Sequence, residues 1–322
     1  MLAVAFSPDS KTVATGSKDN TAKLWDAATG ACRATLSEHG SYVTAVKFSP
    51  DGKTVATCSN DNTAKLWDVA SGACLVTLIG HTDFVDVTAF SPDGKLIVTG
   101  SEDGTAKLWD AASGVCRATL KGHEAYVTAV AFSPDCKTVV TGSNDSTAKL
   151  WDVASGACRA TMSEHSGILV AAAFSPDGKT VATCSYDTTA KLWDAASGMC
   201  CATLSGHNES VNSLAFSPDG KTVATGSSDN TAKLWDAATG ACRVTLAGQD
   251  AYVKTVAFSP DGKMVLTGID DNTAKLWDAA SGACRAKLCG HTDWVRAVAF
   301  SPDGKTVATG SDDNTAKLWK VC

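Results

Sequence analysis

The chain has 322 residues, of which 44% are hydrophobic and 19% charged, a balance that supports a buried core and excludes a disordered or collagen-like polymer. A formal net charge of −6 removes the basic footprint expected for binding nucleic acid or an acidic membrane surface. No run of 18 apolar residues is present, and the opening MLAVAFSPDS lacks the regions of a secretory leader, so neither a spanning helix nor a signal peptide is expected.

In chain order, TAKLWD at 21–26 returns at 63–68, 105–110, 147–152, 189–194, 231–236 and 273–278, and as TAKLWK at 315–320, always in steps of 42. A fixed period of this length takes precedence over any domain count from length. Within 43–84, the turn signals SPDG, SNDN and ASG separate runs of five or six residues rich in Val, Ala, Thr and Trp. Proline presets one turn dihedral, Asp and Gly supply the next, and the intervening runs are too short for helices. The pattern predicts four strands, Val43–Phe48, Thr54–Cys58, Thr63–Trp67 and Ala73–Leu78. Short turns make them antiparallel. Repeated four-stranded units that bury both faces by stacking predict a single all-β propeller. Its eight blades span about 1–37, 42–79, 84–121, 126–163, 168–205, 210–247, 252–289 and 294–322, the last lacking its outer strand.

The sequence resembles the tryptophan–aspartate (WD) repeat propellers along its whole length. The resemblance rests on GH at 80–81, 122–123, 206–207 and 290–291, on WD in seven of eight expected places, and on FSPDG and the TGS-x-D-x-T pattern. It implies that each tryptophan packs between blades and belongs to a structural network with a strand threonine, a turn aspartate and a loop histidine. The implied sets are His39, Thr57, Asp61 and Trp67; His81, Thr99, Asp103 and Trp109; and His123, Thr141, Asp145 and Trp151. They continue with His165, Thr183, Asp187 and Trp193; His207, Thr225, Asp229 and Trp235; and His291, Thr309, Asp313 and Trp319. Blade 7 has Gln249 in place of histidine, and blade 1 has no equivalent residue.

A histidine, an aspartate and a hydroxyl also suggest a hydrolase, but six copies suit a repeated lock better than a catalytic machine. The DGKT stretches lack the upstream glycine of a phosphate loop, and no C-x-x-C pair exists, so no catalytic residue, cofactor or metal site is expected. Seven of the thirteen cysteines share one repeat position and are expected to be small buried thiols in a reducing cytoplasm.

Individuality lies at three variable positions per repeat, which the resemblance places around one mouth of the channel. Tyr42, Phe84, Tyr126, Tyr186, Tyr252, Trp294 and Arg296 are the expected partner-binding rim, because aromatics and arginine are favoured in interfaces. The expected protein is thus a cytoplasmic, monomeric, non-catalytic scaffold for proteins or peptides, binding neither nucleic acid nor membrane. Two alternatives stay open: a regulatory or targeting fragment of a multidomain enzyme, and a recently amplified repeat array without a defined partner. Residues 1–322 supply no outer strand for the last blade, so blades 8 and 1 are expected to meet through side chains alone, leaving an open sheet edge.

Overall fold

A computed structural model describes residues 1–321. Cys322, which closes the last expected unit, lies outside the described residues. Strands run from Ala3–Phe6 to Ala316–Lys320 and form eight antiparallel sheets among the described residues. Seven are four-stranded meanders in chain order, here called strands a to d. The eighth has three strands, Val295–Phe300, Thr306–Ser311 and Ala316–Lys320. This is an eight-bladed β-propeller whose last blade has strands a to c among the described residues.

Local chemistry explains why each unit folds back on itself. In the first turn of blade 2 the Ser49 hydroxyl donates to Asp51 at 2.6 Å, and the Lys53 amide donates to the same carboxylate at 3.0 Å. Gly52 sits at φ +70°, where a side chain would be strained. Across the following hairpin Val55 pairs with Trp67, and a register shift after Leu66 sets Trp67 opposite Cys74.

The core lies between blades rather than within them. Ala56, Leu66 and Leu78 of blade 2 pack with Val85, Ile97 and Trp109 of blade 3, all essentially inaccessible to water. Each such large side chain contributes about 1.5–3 kcal/mol when fully buried. The junction of blades 8 and 1 is thinner. Its buried cluster is Phe6, Val13 and Ala308, with Trp25 and Leu318 only partly covered.

Two expectations need correction. Blades 8 and 1 do not meet through side chains alone. The Met1 nitrogen donates to the Ser311 carbonyl, as the Val43 amide does to Ser17 at 3.0 Å in the neighbouring junction. Asp303 N donates to Ser10 Oγ at 3.1 Å, and Lys18 pairs with Asp312 at 3.2 Å. The recurring cysteines are also not buried: Cys32, Cys116, Cys158, Cys242 and Cys284 are exposed, and Cys74 and Cys200 half-buried. They begin the outermost strand, past the register shift beside the tryptophan, where no further strand covers them. Cys58 and Cys184, which occupy a glycine position of strand b, are the buried thiols among the described residues.

Candidate functional site

The loop before strand a carries the histidine, strand b the threonine, the b–c turn the aspartate and strand c the tryptophan. Antiparallel pairing places the last three side by side, and the loop folds over them. In blade 2 His39 Nδ1 lies 2.8 Å from Asp61 Oδ2, and Nε2 lies 2.7 Å from Thr57 Oγ1. Trp67 Nε1 donates to the same Oγ1 at 2.8 Å. The other five sets superpose chemically on this one. His81, His123, His165, His207 and His291 lie 2.7–2.8 Å from Asp103, Asp145, Asp187, Asp229 and Asp313. Their Nε2 atoms lie 2.7–2.9 Å from Thr99, Thr141, Thr183, Thr225 and Thr309. Trp109, Trp151, Trp193, Trp235 and Trp319 complete the sets at 2.8–2.9 Å.

Counting donors fixes the direction of this chain. An indole N–H can only donate, so the threonine oxygen accepts from tryptophan and gives its own proton to His Nε2. That requires a neutral imidazole with its proton on Nδ1, donating to the carboxylate. The electrostatics agree. Burial lowers the pKa of His39, His81, His123, His165 and His207, outweighing the raising pull of the paired aspartates. For Asp103, burial acts upward, but the Thr105 hydroxyl, the Thr82 amide and His81 outweigh it and hold the pKa at about 2. Asp145 is held at about 2 by the equivalent donors.

The hydroxyl–histidine–carboxylate distances are those of a hydrolytic triad, yet the would-be nucleophile is sealed. Thr57, Thr99, Thr141, Thr183, Thr225 and Thr309 are 0% exposed, and each oxygen already accepts an indole proton. What this geometry can do is orient the tryptophan and pin the loop between blades.

Blade 7 breaks the chain. Gln249 is buried, its Oε1 has no partner, and Asp271 Oδ2 has, in place of a histidine, only the half-exposed Lys287 ammonium at 3.5 Å. Ile269 replaces the serine that elsewhere bonds the loop, as Ser101 Oγ does to the Asp83 carbonyl at 3.0 Å. Buried unpaired groups cost about 1–3 kcal/mol each, so this blade opens more easily than its neighbours. Hydrogen exchange is expected to label residues 263–278 faster than 95–110; equal or slower labelling would contradict the assignment.

The variable positions converge on one another. The amides of Asn60, Glu102, Asn144, Asp270 and Asp312 donate to the carbonyls of Tyr42, Phe84, Tyr126, Tyr252 and Trp294 at 2.9–3.0 Å, and Tyr186 bonds Ile168 in the same way. Tyr42, Phe84, Tyr126, Tyr186, Tyr252 and Trp294 are 38–50% exposed despite this backbone anchoring. The third position joins them. Arg296 pairs with Asp312 at 2.7 Å and stacks 4.7 Å from the Trp294 ring centre. Lys254 pairs with Asp270 at 3.3 Å and lies 5.3 Å from the Tyr252 ring centre.

Two features escaped the reading of the sequence. Burial, and next the charge of Glu102, push the Asp86 pKa up to about 6, making this sector of the rim a shared acidic pair. Lys47 stands at the strand-a position where the other seven repeats carry alanine, such as Ala131, Ala173 and Ala215. Those alanines and the adjacent phenylalanines line a channel cavity of about 730 Å³. Lys47 remains reachable by water, while the surrounding wall of protein lowers its pKa. A column-by-column comparison of the repeats would have flagged it as the lone charge.

The fold and the repeated lock define a WD-type propeller. The sequence matches the family model "WD domain, G-beta repeat" over residues 1–26, 30–68, 72–110, 114–152, 156–194, 198–236, 240–278 and 282–320, and the chain belongs to that family. Among curated proteins it is 47% identical over 45 residues to the Periodic tryptophan protein 2 homolog of Dictyostelium discoideum. That match covers 14% of this chain and 5% of the relative. Among solved structures it resembles the crystal structure of the computationally designed Ika8 protein, with a TM-score of 0.89 and 33% identity. The alignment covers 99% of this chain and 96% of that one.

Proposed function

We propose that the protein is a non-catalytic scaffold that binds other proteins or peptides on the rim formed by Tyr42, Phe84, Tyr126, Tyr186, Tyr252, Trp294 and Arg296. Propellers of this family commonly serve as protein-interaction scaffolds and are generally not catalysts. The observation that carries the reading is five half-exposed aromatics at one repeat position, Tyr42, Phe84, Tyr126, Tyr252 and Trp294, each fixed by a backbone hydrogen bond from the following turn. Tyr186 is half-exposed at the turn position that makes this bond to Ile168. Rigid aromatics lose little conformational entropy on binding, and the Arg296–Trp294 stack adds a preorganised cation. The chain works as a monomer and resides in the cytoplasm, where exposed thiols such as Cys32 and Cys158 stay reduced.

The test replaces the six rim aromatics with serine and compares partner capture from a cell extract with that of the unaltered ring. Capture is expected to be lost while the far-ultraviolet circular dichroism and the melting temperature stay close to those of the parent. Retained capture would move the binding surface to the outer strands or the opposite face.

A further inference from the structure

Away from the lock and the rim, one side chain breaks the eightfold pattern inside the channel. Strand a runs from the rim to the SPDG turn, so its later residues line the opposite mouth. There Ala131, Ala173, Ala215, Ala257 and Ala299 border the cavity of about 730 Å³, together with the phenylalanine that follows each of them. Phe174, Phe216, Phe258 and Phe300 are only partly covered, so aromatic surface is open to whatever enters. A largely apolar space of this size is of the kind that holds small molecules.

Lys47 occupies the same position in blade 2, paired with Ala56 as Ala215 is with Ala224. In a ring of eight blades, blade 2 stands across the channel from blade 6, so the lysine faces the wall to which Ala215 and Phe216 belong. Its side chain is open to water, yet surrounding protein lowers its pKa, which separates an ammonium inside the channel from one on the outer surface. The cations of the rim have counter-charges: Lys18 and Arg296 share Asp312, and Lys254 pairs with Asp270. Lys47 has none among the described residues, and burial alone acts on its charge. An ammonium partly stripped of water and lacking a counter-charge is stabilised by an anion that can reach it.

We propose that the channel mouth at the SPDG turns binds a small organic monoanion with an apolar or aromatic body, its acidic group paired with Lys47 and its body against the phenylalanines. The two parts of the site are complementary. Alanine at this position in the other seven repeats leaves room for the body, and the one long side chain supplies the charge. A neutral apolar molecule would leave the ammonium uncompensated, and a small inorganic anion would leave the aromatic wall wet. A single lysine matches one negative charge rather than the several of a polyphosphate. This mouth lies at the other end of strand a from the aromatic rim, so the site does not depend on partner binding there.

The test is a fluorescence titration of the full chain with anilinonaphthalene sulfonate and, in parallel, with phenylnaphthylamine, the same ring system without the sulfonate. The sulfonate is expected to saturate a single site and to bind about tenfold more tightly than the neutral probe. Lys47→Ala installs the residue of the other seven repeats, so the fold is kept. It is expected to weaken the sulfonate about tenfold and to leave the neutral probe unchanged. Lys47→Arg is expected to preserve the preference, because the charge stays in place. Equal affinity of the two probes, or a sulfonate affinity unmoved by Lys47→Ala, would overturn the pairing. Absence of saturable binding of either probe below about 1 mM would overturn the site. Sulfonate binding lost in the rim serine variant but kept in Lys47→Ala would place the probe on the rim and overturn the channel assignment.

Discussion

Asp103→Ala is expected to destabilise the propeller by about 2–4 kcal/mol, lowering the melting temperature by on the order of 5 °C. The carboxylate accepts from His81 Nδ1 at 2.8 Å, from the Thr105 amide and hydroxyl at 2.8 and 2.6 Å, and from the Thr82 amide at 3.0 Å. The Thr82 amide lies at the surface and can turn to water. His81 cannot, because its ring is buried against Trp109 with the centroids 6.2 Å apart. Losing the acceptor leaves a buried N–H unpaired and frees the imidazole to flip, which also releases the Thr99 proton. Asp110→Ala provides the contrast. That carboxylate pairs with Arg117 at 2.7 Å on the exposed face, where such pairs contribute little. Its loss should shift the melting temperature far less than the loss of Asp103 does. A melt unmoved by Asp103→Ala, or moved equally by both changes, would refute the buried lock.

Acid should weaken the ring well before the carboxylates of an ordinary domain titrate. Five histidines are held neutral in the folded state with pKa values below 6.5, so the unfolded chain takes up protons first. Their contribution is fully present above pH 6.5 and is lost as pH falls toward the folded values. Protonation would put an N–H on Nε2, and the threonine oxygen would then hold two donors while its own proton lost its acceptor. Asp103 and Asp145, held at about 2 against an ordinary 3.8, add a second loss as pH falls from about 4 to 2. Asp86 acts in the opposite sense. Its folded pKa of about 6 lies above the unfolded value, so it penalises the fold above that pH and the penalty fades on acidification. One carboxylate against five histidines does not change the sign. Thermal melts from pH 8 to 3 are expected to show a falling melting temperature below pH 6.5 that steepens below 4. A flat profile between 7 and 4.5 would show that the histidines are not the coupled groups.

Most of a blade is legible from its residues because its strands and turns are local. SPDG and SNDN fold within a few residues, and strands b and c are joined by one of them, so Thr57 and Trp67 fall diagonally across one hairpin, within hydrogen-bond reach, wherever the ring goes. The thiols were misread for the converse reason. Cysteine is a small apolar side chain, but Cys32 and its equivalents lie at the outer end of a blade, and only the ring says which end that is. Lys47 was passed over because charge at a strand position is unremarkable until seven neighbouring alanines are seen to form a channel wall.

What the sequence by itself determined is the unit, four strands and their turns, and its repetition; the threonine–aspartate–tryptophan set came from the family resemblance those repeats carry. Each follows from contacts within about 42 residues, and every copy repeats the same local energetics. Only the tertiary structure decided the junctions. Burial of Trp109 requires blade 2, the fit of Gly72 requires Ala34 of blade 1, and the meeting of Met1 with Ser311 spans 310 residues. Closing a ring brings the first and last units together, and no local pattern encodes that contact. There the repeat symmetry is broken: among the described residues the last blade has three strands, and Trp25 and Leu318 are only partly covered.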